Sequence, residues 1–239
     1  MNKIVFGVKS EFLLHSEFLP ISIKDYKPQW YKDIKTTNLI GPFQQLSKAK
    51  TAKSCPSFTH IVEEGYVIFA PVDYLIKVQQ DGSYHWHTPH DMSSDNDNLP
   101  VLQEHPDYQL TNYLPKETGI KKILKINLPL RCFTEKGYSC RLVPYPYTED
   151  KNWKPAYGVF HTDKVHEVNI QLLIKNNKSE FTIRQGTPLC VYVPFKREKY
   201  KMKIVDLKTN QKYKALEYKN YLKLYGNTKG YWGNKFHTD

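Results

Sequence analysis

The chain has 239 residues, 40% of them hydrophobic, with 35 Lys and Arg against 24 Asp and Glu and a net charge of +11. That is enough apolar material to bury a real core, and the length suits a single all-β fold. No run of 18 apolar residues occurs, and Met1–Val8 lacks the apolar stretch and small-residue cleavage site of a secretory signal, so neither a spanning helix nor secretion is expected.

Lys3–Val8 reads as a first strand. Residues 20–42 are irregular and carry Trp30 and Tyr31. Ser54 can cap a short helix with Pro56 in its first turn, apolar groups at Phe58, Ile61 and Val62, and a stop at Gly65. Tyr66–Ala70 and Tyr74–Val78 follow as strands, and Asp81-Gly82 signals a hairpin into Tyr84–Trp86. Asp91–Pro100 is polar and acidic and reads as a loop.

From Lys122 the strand signal strengthens. Ile123, Ile126, Leu128 and Leu130 precede a turn at Gly137 and a strand over Tyr138–Val143. Val165 opens a further strand that alternates strictly from Val168 to Ile174 and ends at Asn176-Asn177. Phe181 and Ile183 alternate, Gly186 turns the chain, and Leu189–Phe195 continues it. Gln211–Tyr225 places Tyr213, Leu216, Tyr221 and Leu224 near a helical period, with Gly226 as a stop. The expected organisation is one β-rich domain over 1–206 with its core at 122–206, then a C-terminal helix and a basic, aromatic tail over 207–239.

The four cysteines, Cys55, Cys132, Cys140 and Cys190, form no CxxC pair, which argues against a zinc site or a disulfide framework. Residues 195–239 hold 12 Lys and Arg against 4 acids, whereas residues 81–119 hold seven acids and one Lys. The basic residues are mostly Lys with no Arg cluster. They read as a solvated surface, so nucleic acid is not the expected partner.

Residues 123–195 carry a recognisable order. Ile126-Asn127-Leu128-Pro129 precedes Gly137-Tyr138-Ser139-Cys140-Arg141-Leu142-Val143-Pro144. Gly158-Val159-Phe160, a long strand, and Phe181-Thr182-Ile183-Arg184-Gln185-Gly186 follow. This third of the chain resembles the core of the deoxyuridine triphosphatase and dCTP deaminase superfamily. The resemblance implies a deoxyuridine-triphosphatase-like β-barrel or sandwich; with the short internal helix and the C-terminal helix read above, the expected fold is mainly β. It also implies self-association, a homotrimer in that superfamily. The family's chemistry is not carried over. Tyr145 and Pro146 stand where its Arg and Ser hold phosphate, His161 stands at its water-positioning Asp, and Lys164, Val165 and His166 replace its Tyr-Arg-Gly.

The whole chain also resembles a protein family of T4-like and marine phages and some bacteria. The matching residues are Ser54-Cys55-Pro56, Gly65-Tyr66-Val67-Ile68, Gly137-Tyr138-Ser139, Thr162-Asp163 and Pro194-Phe195-Lys196-Arg197-Glu198-Lys199. That resemblance implies a viral origin and a place in the host cytoplasm or the virion, and it supplies no activity.

Three groups of side chains are candidates for function. His161, Asp163 and Arg141 could form a rebuilt nucleotide site, and His161-x-Asp163 has the spacing of two ligands of an iron triad. His85, His87 and His90 could gather at a hairpin rim as metal ligands. Lys196, Arg197 and Lys199, with Tyr231 and Trp232 of the tail, could hold a partner. The expectation is a phage-type, non-catalytic binding or virion protein that uses no cofactor and binds a protein or itself. A nucleotide-binding or nucleotide-hydrolysing enzyme and a metal enzyme using His161 and Asp163 are the alternatives.

Overall fold

The structure, a computed structural model, describes residues 3–41, 47–79, 81, 83–88, 101–148, 150–175 and 180–225. The expected loop over 91–100, the turn residues Gly82, Asn176 and Asn177, and the tail after Tyr225 lie outside the described residues. The chain divides into two compact units, residues 1–26 with 63–197 and residues 27–62 with 198–239. The first thus ends at Arg197, upstream of the boundary expected at 206.

In chain order the elements are β1 (Ile4–Val8), α1 (Glu11–Leu14), β2 (Ile21–Ser22), α2 (Gln29–Asp33), β3 (Thr37–Ile40), β4 (Ser47–Lys50), α3 (Pro56–Thr59), β5 (Tyr66–Phe69), β6 (Tyr74–Val78) and β7 (Tyr84–His87). Then come β8 (Leu102–Glu104), β9 (Lys122–Thr134), β10 (Tyr138–Val143), β11 (Trp153–Pro155), β12 (Gly158–Phe160), β13 (Glu167–Ile174), β14 (Phe181–Ile183), β15 (Pro188–Lys196) and α4 (Gln211–Tyr225).

The first unit holds three antiparallel sheets. In the first, the long β9 is the spine: β13 takes one edge, with β11 beyond it, and β1 and β8 share the other. In β13 the alternation read from the sequence becomes burial, with Val168, Ile170, Leu172 and Ile174 inside and their neighbours half-exposed or exposed. The strand begins at Glu167, two residues after the expected Val165. The turn before it is still closed there by Val165 N–H donating to the His161 carbonyl at 2.9 Å, and Val165 is 51% exposed.

The second sheet runs β12-β10-β15-β5-β2 and is apolar on both faces. Cys140, Leu142, Ile68, Cys190 and Tyr192 join the main core with Ile126, Leu130, Ile170 and Leu172 of the first sheet. Val67, Phe69 and Val191 pack on the opposite face with Ile23 and Tyr145. Burying a Val, Leu or Ile side chain contributes about 1.5–3 kcal/mol relative to leaving it in water, so this double face is the main source of cohesion. The third sheet, β14-β6-β7, contains the expected hairpin. Its turn is set by Asp81, whose carboxylate accepts from the Ser83 N–H at 2.9 Å.

The mainly β class is as expected, but no sheet closes into a barrel among the described residues. The edges end too soon to meet: β2 has two residues and β11 and β12 three each, and Pro155 in β11 has no N–H to extend a ladder.

In the second unit, Tyr31 of α2 is buried, with Trp30 edge-on to it and to Phe58, and with the Lys27 and Lys53 ammonium groups 5.4 and 5.1 Å from its ring centre. β3 and β4 form a hairpin. The expected short helix is present as α3, flanked by turns of the tighter 3-10 type at Ala52–Ser54 and His60–Val62. Ser54 does not cap it. Cys55 holds that place, and the Ser54 hydroxyl donates instead to the Thr36 carbonyl at 3.2 Å. The C-terminal helix forms as α4, but its described side chains, Gln211–Tyr218, are all exposed. The expected apolar stripe at Tyr213 and Leu216 therefore faces solvent.

Candidate functional site

The turn between β9 and β10 requires Gly137, whose φ is +89°. Strand β10 then places Ser139 on the face opposite the core-lining Cys140. β12 pairs with β10 so that Phe160 lies opposite Cys140, which brings the following His161 up to Ser139. β15 pairs with the other edge of β10, Tyr138 opposite Lys196, and delivers Arg197 to the same spot.

The result is a dense polar cluster. The Arg197 guanidinium forks onto Asp163, donating to Oδ1 at 2.8 Å and to Oδ2. Asp163 Oδ2 also accepts from the Gly137 N–H at 2.9 Å. Arg197 Nη1 further lies 2.7 Å from the Tyr138 carbonyl, 2.6 Å from Ser139 Oγ and 3.2 Å from His161 Nδ1. Arg197 N–H itself donates to the Gly137 carbonyl at 2.8 Å. Ser139 Oγ and His161 Nδ1 are 3.0 Å apart. Arg197 Nη1 carries two hydrogens for these four neighbours, and His161 Nδ1, at 3.2 Å, is the farthest of them.

Burial and charge fix what these groups can do. The Asp163 side chain is 4% exposed and that of Arg197 27%. The Arg197 guanidinium and the Gly137 N–H hold the Asp163 carboxyl well below the usual carboxylate range, and Asp163 in turn raises Arg197. Asp163 is thus an ionised acceptor near neutrality. It is too weak a base to take a proton near neutrality, and its oxygens are engaged from two sides. Ser139 is fully buried, so its hydroxyl cannot meet a substrate. Beneath the cluster, buried Thr162 bonds the Thr134 hydroxyl at 2.7 Å and reaches Cys140 Sγ at 3.7 Å. A hydrogen bond from Cys132 draws the Cys140 thiol down, while the same contact and burial push Cys132 up. Both thiols are buried and shielded from reagents.

The remaining sequence candidates lie elsewhere. Arg141 is exposed and its guanidinium sits over the Phe195 ring at 4.5 Å, with no bond to His161 or Asp163. Tyr145 is 7% exposed and its hydroxyl donates to the Tyr26 carbonyl at 2.7 Å, so it is a packing residue. His85 and His87 are exposed on β7, opposite Lys77 and Leu75. Among the described residues no three His, Cys, Asp or Glu side chains gather to hold a metal ion. Lys196 and Lys199 are exposed, whereas Arg197 between them is turned into the cluster. His90, Tyr231 and Trp232 lie outside the described residues. Reasoning from the sequence missed the union of Arg197 with Asp163. The two are 34 residues apart, and only strand register joins them.

A shallow depression of about 590 Å³ is lined by Glu11, Phe12, His15, Ser16, Phe18 and Gln185 among others, none of them in the cluster. No helix among the described residues is long and apolar enough to cross a membrane. Comparison with protein-family models and with curated proteins finds no match.

Proposed function

We propose that the chain is a phage-type, non-catalytic binding protein, a virion or assembly component or the partner of a host factor. Its first unit would be a deoxyuridine-triphosphatase-related scaffold whose reactive positions have been converted to structural ones. One observation carries this reading. At the place where the resembled superfamily positions water and sugar, Asp163, Arg197, Ser139 and His161 Nδ1 are bonded to one another and to backbone, and the acid is held well below the usual carboxylate range. A site that hydrolyses phosphoanhydrides needs a base and cationic groups directed at the substrate. Here both are directed at each other.

Support for protein contact comes from β12, an edge strand of the second sheet. Val159 on it is 54% exposed and the adjoining Tyr157 76%. An open edge with apolar side chains is a natural place for a second copy or another protein to pair.

The test is a panel of ribo- and deoxyribonucleotides with Mg²⁺, read by phosphate release and thermal shift. The expected result is no turnover and no rise in melting temperature, because a ligand that binds only the folded state must raise it. Turnover that is lost on His161→Ala would overturn the proposal and favour a rebuilt nucleotide site.

A further inference from the structure

The two units differ in net charge. The unit formed by residues 1–26 and 63–197 holds 19 Lys and Arg and 19 Asp and Glu. The unit formed by residues 27–62 and 198–239 holds 16 Lys and Arg against 5 Asp and Glu. The whole net charge of +11 therefore resides on the second, smaller unit. An even scatter of lysines over the chain, which a solvated surface would give, is not what is seen.

The same unit displays large apolar side chains that are mostly exposed. Residues 199–204 alternate strictly, Lys199, Tyr200, Lys201, Met202, Lys203, Ile204, and all six are exposed. Tyr200 is 84% exposed, Met202 87% and Ile204 84%; the Tyr200 hydroxyl donates to Glu198 at 3.0 Å, which leaves its ring face in solvent. The segment belongs to no helix or sheet among the described residues. On α4, Tyr213 and Tyr218 are 38% and 64% exposed, among the exposed Lys212 and Lys214. Large apolar groups kept in water beside cations mark a contact surface.

The geometry points to the second unit as a binding site for single-stranded nucleic acid. The ligand class follows from the pairing of two features. Ammonium groups at every second residue supply sequence-independent attraction to a phosphate backbone, with counterion release. The exposed Tyr200 ring between Lys199 and Lys201 offers a flat face on which an unpaired base stacks, a contact a duplex cannot make without opening. An acidic protein would use the lysines and leave the tyrosine faces without purpose. This inference stands apart from the closed cluster of the first unit and does not depend on it.

The test uses the full chain and fluorescence anisotropy with a labelled single-stranded oligodeoxythymidylate and an oligouridylate. A duplex of equal length, polyglutamate and phosphatidylserine vesicles serve as competitors. The expected result is binding of the single strands that weakens linearly in log–log salt plots and is displaced poorly by the other polyanions. Tyr200→Ala should weaken it about 5- to 100-fold, as loss of one stacked base does. Tyr200→Phe should retain it, since the ring face is kept. Lys199→Gln with Lys201→Gln and Lys203→Gln should flatten the salt slope by about two units. No binding, equal displacement by polyglutamate or vesicles, or full affinity in Tyr200→Ala would overturn the inference.

Discussion

Asp163 decides the chemistry of the cluster, and its protonation can be followed. Its carboxyl is held below the ordinary value of 3.8 by Arg197 and the Gly137 N–H. In the unfolded chain the same group takes up a proton first as the pH falls. The folded state therefore loses stability on acidification, and the contribution is present in full above about pH 5. Asp163→Asn keeps the shape and removes the charge. The stability gap between wild type and Asp163→Asn should be widest near neutrality and should narrow as the pH drops through about 4 and below. Urea unfolding at a series of pH values checks this, and a gap independent of pH would contradict it. His161 and Asp163 stood out in the sequence, His161 at the resembled superfamily's aspartate position and the two together as a His-x-Asp pair. Their partners did not: Arg197 read as one more cation in a basic run, and Ser139 as one more strand residue. Hydrogen bonding between side chains 22 to 36 residues apart depends on register, which no local pattern encodes.

At the scale of elements, the strands were legible where one face is buried. β13 shows it best, since a period of two in the residues became a period of two in burial. β2, β11 and β12 were less so, because two or three residues are too few to carry a period. The short helix after Ser54 was legible in place but not in its cap, since the Ser54 hydroxyl found a neighbouring carbonyl instead. Closure of the sheets was not legible, for it depends on whether edge strands meet.

The junction of β5 and β15 gives a sharp prediction. Gly65 has φ +112°, and a Cβ there would stand 2.7 Å from Val191 Cγ1 and 2.9 Å from the Tyr192 carbonyl oxygen. Backbone strain and the clash act together, so Gly65→Ala should destabilise by about 2–4 kcal/mol. A change below about 0.5 kcal/mol, the size of an ordinary surface substitution, would show that the two strands do not approach as described.

Across the whole molecule, the two units divide the physical labour. The first carries the cohesive sheets and no net charge. The second carries the charge, with an aromatic cluster around Tyr31 and a fully exposed lysine–apolar run. Within the first unit, Asp163 and Arg197 tie the Gly137 turn, the turn before β13 and the end of β15 into one point. If these side chains hold the scaffold together and do nothing to a substrate, their value lies in each other. The direct measurement is a double-mutant cycle of unfolding free energy with Asp163→Asn, Arg197→Gln and the two combined. The double variant should be no less stable than the worse of the two single variants, since either change alone already breaks the tie. Strictly additive losses, or single variants as stable as the wild type, would mean that the two side chains are free for another task.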